Sequence, residues 1–455
     1  MTAPPFRKVL IANRGEIALR IARTCREMGI ATVAVYSTAD RDAAFVAFAD
    51  EAVHIGPAAP RRSYLSMPGP IEAALRCGAD AVHPGYGFLS EDPDFAVVCA
   101  GNGLTFIGPR PEVMASVGDK AKVRELMRDA GLPVLPGSDG AVPTAADAER
   151  LAAEIGYPVV VKAAAGGGGR GIGVARSAKD LPRVYRETVA LARSVFGNGE
   201  VYLERYLERA RHVEVQVLGD EAGNVVHLGE RDCSLQRRNQ KLVEEAPSPG
   251  LSDRIRAELG MYAVAGAKAV GYTGAGTMEF LVDDRGRVTF MELNARIQVE
   301  HPVTEALTGI DLIREQIRIA AGLPLAVKQE DVRLTGAAIE CRVNAEDPDR
   351  GFLPTPGRLD VFNVPGGPWT RVDSGFAPGD TVPPYYDSLL AKLIVWAPTR
   401  AEAIARAERA LGEFTVSGPG VATTIPLLRR LVTHPVFAAG EHTTRFVEEL
   451  LDGRS

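Results

Sequence analysis

The sequence predicts a multidomain chain of α/β and α+β regions, and three observations carry that prediction. Short apolar runs alternate with helix-period segments over residues 8–108, the pattern of parallel strands with helices returning between them. Consecutive glycines at 166–169 separate two apolar, strand-like runs. Further on, strand-like segments at 276–282 and 287–294 are joined by the turn Asp283-Asp284-Arg285-Gly286 and lead into a dense set of polar side chains. With 455 residues and 46% apolar content, the chain can bury more than one core.

In the first region the runs at 9–12, 32–36, 81–82 and 105–107 read as strands, and 16–28 reads as a helix that Gly29 can end. The turn after the first strand is Asn13-Arg14-Gly15 and lacks Gly-x-Gly-x-x-Gly, so the region is Rossmann-like in shape without the dinucleotide fingerprint. The loop His83-Pro84-Gly85-Tyr86-Gly87 follows a strand and reads either as a structural turn or as a wall beside a ligand.

A helix at 120–130, ended by Gly131-Leu132-Pro133, opens a second domain; taken alone, Lys120 reads as a solvated surface lysine. The strand at 157–162 then delivers Lys162 next to the glycine run. Such a run lets backbone N–H groups approach phosphates, with the lysine as a point charge, although a flexible linker is the alternative. Gly-Lys-Ser/Thr is missing, so this is not a Walker P-loop. Apolar strands follow at 201–207 and 211–217, the second placing His212, Glu214 and Gln216 on one face. Residues 236–241 are basic and lie close to Glu244 and Glu245, which alone would suggest solvated charge.

The hairpin expected at 276–294 brings Glu279 close to Glu292. Strand-like alternation through Glu292, Asn294, Arg296, Gln298 and Glu300, ended by Pro302, would aim several polar groups into one cleft. Two carboxylates beside an amide suit a hard divalent cation; an exposed edge strand carrying solvated charge is the plainer alternative. After a helix at 310–321, the third region shows strand-like runs at 337–343, 358–364 and 389–396 and helices near 400–411 and 421–432. Its chemical candidate is Arg342, on a strand where an arginine is ordinarily an ion-pair or surface residue.

The formal charge of −6 and sequence pI of about 5.8 argue against a nucleic-acid partner held by a broad basic field. Cys25, Cys77, Cys99, Cys233 and Cys341 are odd in number and widely spaced, which fits packing residues in a reducing compartment. The first apolar run is short and no stretch is long enough to span a bilayer, so a cytoplasmic protein without membrane partners is expected.

Several strings, in order, then resemble the biotin carboxylase family of ATP-grasp ligases over nearly the whole chain. They are Ile11-Ala12-Asn13-Arg14-Gly15-Glu16, the run from His83 to Glu91, Glu230-Arg231-Asp232-Cys233-Ser234, the 290–302 segment, the run from Glu340 to Pro348, and Pro383-Pro384-Tyr385-Tyr386-Asp387-Ser388. The resemblance implies a Rossmann-like domain over 1–118, an ATP-grasp domain over 119–325 with a lid at about 133–205, and a mixed α+β domain over 326–455.

It also implies residue roles. ATP would be met by Lys120, Lys162, Gly168, Gly169, Glu204, Arg205, Tyr206, Leu207, His212, Gln236 and Asn239, and Mg²⁺ or Mn²⁺ by Glu279, Glu292 and Asn294. Bicarbonate would be held by Lys241, Arg296, Gln298 and the Val299 backbone, with Glu300 as base. Biotin would face Arg342 and Tyr86, with Glu91 a secondary candidate. The chain departs from the family's usual pattern at Ala164 and Ala165, where Ser and a further Gly are common, and at Asn239, where histidine is common. No Met-Lys-Met triplet occurs, so biotin would arrive on a separate carrier protein, with a carboxyltransferase as further partner and a homodimer as the expected assembly. The rivals are a carbamoyl-phosphate synthetase-like or D-alanine ligase-like enzyme, the corresponding subunit of pyruvate carboxylase, and a non-catalytic nucleotide-binding regulator.

Overall fold

The computed structural model describes residues 4–164 and 171–453. Strands β1 (Lys8–Ile11), β2 (Ala31–Ser37), β3 (Glu51–Gly56), β4 (Ala81–His83) and β5 (Thr105–Phe106) form a parallel sheet in the order β3-β2-β1-β4-β5. The helix Gly15–Glu27 packs Ile17 and Ile21 against Val9 and Ile11, and Leu312, Ile313 and Ile317 of the helix Leu312–Ala320 join the same core. That helix starts slightly later than its periodicity suggests because Asp311 caps it, accepting from the Arg314 N–H.

Strands β6 (Val159–Ala163), β7 (Ile172–Ala175) and β8 (Val201–Arg205) make a small antiparallel sheet, ordered β7-β6-β8. The largest sheet begins with β9 (Ala210–Gly219), β10 (Val225–Arg237), β11 (Gln240–Ala246), β12 (Gly274–Asp283) and β13 (Val288–Asn294). It continues through β14 (Ala337–Asn344) to the strands Leu389–Ala397 and Thr370–Ser374. Its order is β13-β12-β9-β10-β11-β14, then Leu389–Ala397 and Thr370–Ser374.

Strand periodicity gives this sheet two unlike faces. On one, Val213, Val215 and Val217 pack with Leu259 and Ala263 of the helix Asp253–Ala269. Farther along, Ile339, Cys341, Val343, Leu393 and Val395 pack with Ala403 and Ala407 of the helix Arg400–Glu413. The alternate residues His212, Glu214, Gln216, Glu340, Arg342 and Lys392 occupy the opposite face, against which the helix His301–Thr308 lies.

Some expected elements are corrected. The 358–364 run is two short strands, Gly357–Arg358 and Val361–Asn363, because backbone partners change between them: the Leu359 N–H donates to Asp380 and the Asp360 N–H to Ser417. The 421–432 helix begins only at Ile425, since the preceding backbone is bonded to Gly418, Thr355 and Asn344. The polar run after β13 does not continue as a strand. It leaves the sheet at Asn294, crosses a loop, and reaches Glu300 as the residue preceding the helix His301–Thr308, where Pro302 occupies the first turn.

Between β10 and β11 the pair Arg237↔Gln240 leaves a two-residue turn, with Arg238 at φ 48° and Asn239 at φ 65°. Left-handed backbone at both central positions is the type I′ pattern, and asparagine tolerates it. Asn239→Val should therefore destabilise the chain by about 2 kcal/mol and lower its thermal unfolding midpoint. Asn239→Gly should match or exceed the parent; equal midpoints for the two variants would show that the turn carries no strain.

Candidate active site

The hairpin β12–β13 pairs Glu279 with Glu292 directly across the two strands, as the alternation and turn predicted. Glu279 is buried, accepts from Asn294 Nδ2 at 2.8 Å and Lys241 Nζ at 3.3 Å, and has His212 Nε2 2.9 Å from its other oxygen. Burial alone would raise its carboxyl, but Lys241 and His212 outweigh that and hold it well below the usual carboxylate range. The same contact raises His212 against the opposing effect of burial. Glu292 is half-buried, with Lys120 Nζ 3.8 Å away. An ionised Glu279, a Glu292 with accessible oxygens and an Asn294 carbonyl oxygen that accepts only a long bond from Arg296 (3.4 Å) provide the hard donors a Mg²⁺ ion takes.

A second grouping, His212, Glu214 and Glu279, was not anticipated as a metal set, although its donor atoms lie within 4.8 Å of one another. Glu214 is already engaged there: Arg231 Nε donates to one oxygen and Lys241 Nζ to the other, each at 2.6 Å. Arg231 is wholly buried and also donates to Gln216, Thr304 and Thr277. It is a scaffold cation whose role the sequence did not disclose.

Glu300 is the centre of the cluster. Lys241 Nζ donates to one oxygen at 2.5 Å and Arg342 Nη2 to the other at 2.8 Å. Burial works against its charge, yet Lys241, Arg342 and Arg231 hold it well below the ordinary value. Arg342 also grips Glu244, whose own carboxyl is pushed up to about 7 by burial, with Glu300 adding to the rise. Arg296 donates through Nε to Glu91 at 3.0 Å and through Nη1 to Gln298 Oε1 at 2.8 Å, so Glu91 acts as its brace. Among the described residues Gln298 Nε2 is buried without a partner, a donor suited to an anion. The Val299 carbonyl accepts from Lys392 at 2.9 Å, and Tyr86 Oη donates to Glu16.

On the smaller sheet, Lys162 Nζ donates to Glu204 at 2.5 Å, and Arg124 Nε lies 3.3 Å from the other Glu204 oxygen. Arg124 and this pairing went unread, because residues on separate strands and a helix leave no joint spacing in the sequence. Arg205 turns its guanidinium to the Ile155 carbonyl at 2.9 Å, while half-buried Tyr206 and Leu207 continue beyond β8. Gln236 is half-buried opposite Lys241 in the β10–β11 register, and Asn239 occupies the exposed turn. Gly168, Gly169 and Ala165 lie outside the described residues; Ala164 lies just after β6.

Comparison with known proteins defines the class. Residues 119–328 match the carbamoyl-phosphate synthase L chain ATP-binding domain, flanked by matches to the biotin carboxylase amino-terminal domain at 5–114 and carboxy-terminal domain at 340–449. That combination defines an ATP-dependent carboxylating ligase. Biotin carboxylase 1 of Bacillus subtilis is 54% identical over 444 residues, covering 97% of this chain and 98% of its own. The biotin carboxylase domain of Hydrogenobacter thermophilus 2-oxoglutarate carboxylase, a dimer solved with MgADP, ADP and bicarbonate, has a TM-score of 0.94 at 51% identity, covering 98% of this chain and 97% of its own. Campylobacter jejuni biotin carboxylase, solved as a β,γ-ATP complex, has a TM-score of 0.95 at 47% identity, covering 98% of this chain and 99% of its own. The chain belongs to the biotin carboxylase family, as its sequence motifs implied, and it is an enzyme.

The depressed Glu300 carboxyl has a consequence for stability. Below about pH 4.5, the ordinary carboxylate range, the unfolded chain binds this proton more readily than the folded one. The Glu300 ion pairs therefore contribute fully above that pH and are lost as pH falls through the folded-state value. Unfolding midpoints recorded from pH 7 down to pH 3 should fall more steeply for the parent than for Glu300→Gln; parallel curves would show that Glu300 is not held ionised.

Proposed function

We propose that this chain carries out the first half-reaction of an acyl-CoA carboxylase, in which ATP and bicarbonate carboxylate biotin presented by a separate carrier protein. The observation that carries the reading is the buried Glu300 carboxylate between Lys241 and Arg342, beside the Arg296 and Gln298 donors. Bicarbonate would lie against Lys241, Arg296, Gln298 and the Val299 N–H. Glu300, ionised at neutral pH, takes its proton, and the resulting oxygen attacks the γ-phosphorus of ATP as the bond to ADP breaks. The product is carboxyphosphate, which releases CO₂ inside the site. The phosphate left behind takes the ureido N–H proton of biotin, Arg342 stabilises the oxygen of the enolate so formed as its nitrogen takes up CO₂, and Tyr86 helps shape that end of the cleft.

For ATP, the reading assigns Lys120, Lys162, His212, Gln236 and Asn239, with Glu204 to Leu207 lining the base. The glycine run containing Gly168 and Gly169 is assigned as the lid. Glu279, Glu292 and Asn294 would hold Mg²⁺ or Mn²⁺, which when bound offsets the charge of the nucleotide phosphates. A cytoplasmic homodimer working with a biotin carrier and a carboxyltransferase of fatty-acid synthesis completes the reading. Among the described residues no helix is long and apolar enough to cross a membrane. Affinity isolation with the partners retained tests the acceptor: acetyl-CoA or another acyl-CoA should be carboxylated, whereas carboxylation of pyruvate or 2-oxoglutarate alone would overturn that part of the proposal.

Glu279→Gln and Glu292→Gln should each raise the Mg²⁺ concentration required for half-maximal turnover; unaltered Mg²⁺ titrations in both would remove the metal assignment. Arg342→Ala should lower carboxybiotin formation on the order of 10²–10³-fold, the scale of one lost oxyanion donor, while bicarbonate-dependent ATP hydrolysis falls much less. Equal loss of phosphate and carboxybiotin would place Arg342 in folding or nucleotide binding instead.

A further inference from the structure

Lys392 interrupts the otherwise apolar strand Leu389–Ala397 and is wholly buried. Its ammonium donates to the Val299 carbonyl at 2.9 Å and lies 3.0 Å from Glu16 Oε1, the oxygen that also accepts from Tyr86 Oη. Glu16 belongs to the helix Gly15–Glu27 on the amino-terminal sheet and Val299 to the loop that ends in Glu300. Lys392 itself lies on a carboxy-terminal strand. One ammonium therefore ties three separate regions of the chain together at the edge of the proposed bicarbonate site. A buried lysine carries a desolvation penalty that an apolar side chain in this strand would avoid, so packing does not account for it.

We infer that Lys392 is a positioning residue for bicarbonate, acting through the Val299 carbonyl. That carbonyl belongs to the planar peptide joining Val299 to Glu300, so anchoring its oxygen fixes the plane from which the Glu300 side chain departs. Lys241 and Arg342 grip the Glu300 carboxylate directly, but both are also assigned to substrates and must share their hydrogen bonds with them. Lys392, sealed from solvent behind the loop, keeps its bond to the backbone throughout. Its cross-strand neighbours are Asp373 on one side and Arg342 on the other, so the strand pair with Arg342 sets both the loop and the biotin-facing guanidinium. The inference rests on the bicarbonate role proposed for Arg296, Gln298, Val299 and Glu300.

Lys392→Met alone strands the Glu16 carboxylate and is expected to fold poorly. The double variant E16Q/K392M removes both charges together, and E16Q alone is its reference, since it loses the ion pair but keeps the donor to Val299. Relative to E16Q, the double variant should lose on the order of 10²-fold in kcat/KM for bicarbonate, the scale of a misplaced reacting group, with the KM for ATP unchanged. A folded double variant whose bicarbonate kcat/KM stays within about twofold of E16Q, or whose ATP KM rises in parallel, overturns the inference. Arg296→Ala reports separately on the underlying reading. An unchanged bicarbonate KM there would sink the site assignment itself, whereas a raised KM beside a neutral E16Q/K392M would sink only the role of Lys392.

Discussion

Everything at the centre of this molecule depends on keeping ionised side chains out of water without leaving any of them alone. Glu300, Glu279 and Glu214 converge on one ammonium, Lys241, while Arg342 and Arg231 close the arrangement from either side. Removing one member of such a set leaves an uncompensated buried charge, a larger penalty than replacing the whole pair with apolar groups. Its members therefore cannot be read as independent contributors. The same arrangement holds Glu300 well below the ordinary carboxylate range and so keeps it ionised.

The scaffold makes this possible by division of labour between two faces of one sheet. Valines and leucines on alternate residues bind the sheet to its covering helices, which frees the intervening positions to carry charge. Glu340 shows the limit of that freedom. Among the described residues both of its oxygens are buried without a hydrogen-bond partner, and burial pushes its carboxyl well above the ordinary value, with the neighbouring Glu244 adding to the rise.

Much of this was legible in the chain. Alternating apolar runs announced the parallel sheet, and the turn Asp283-Asp284-Arg285-Gly286 announced the hairpin that sets Glu279 opposite Glu292. Arg342 was visible as a polar residue inside a strand. From Arg296 to Glu300 every second residue is polar, which predicts continued alternation; the actual chain leaves the sheet at Asn294 and uses the start of a helix to place Glu300. Glu91 is a secondary candidate in the sequence, but Arg231, Glu244 and Arg124 are not legible as working parts because their partners come from distant strands, a relation that no local spacing records. Lys392 does leave a trace, a lone cation in the apolar run from Leu389 to Ala397, but periodicity alone gives it no role.

The long sheet also has a bearing on how the polypeptide can be divided. The matches to the central and carboxy-terminal family domains meet between residues 328 and 340, yet β11 and β14, from opposite sides of that boundary, are hydrogen-bonded neighbours with Val243 opposite Cys341 and Ala246 opposite Ala338. A fragment ending near residue 330 would carry β11 as a raw edge, a row of unpaired backbone groups open to any passing strand. The missing half is the strand that satisfies it, so two separately made pieces would reunite by strand addition or else aggregate. The family domains have their border there, yet the ladder between β11 and β14 runs across it.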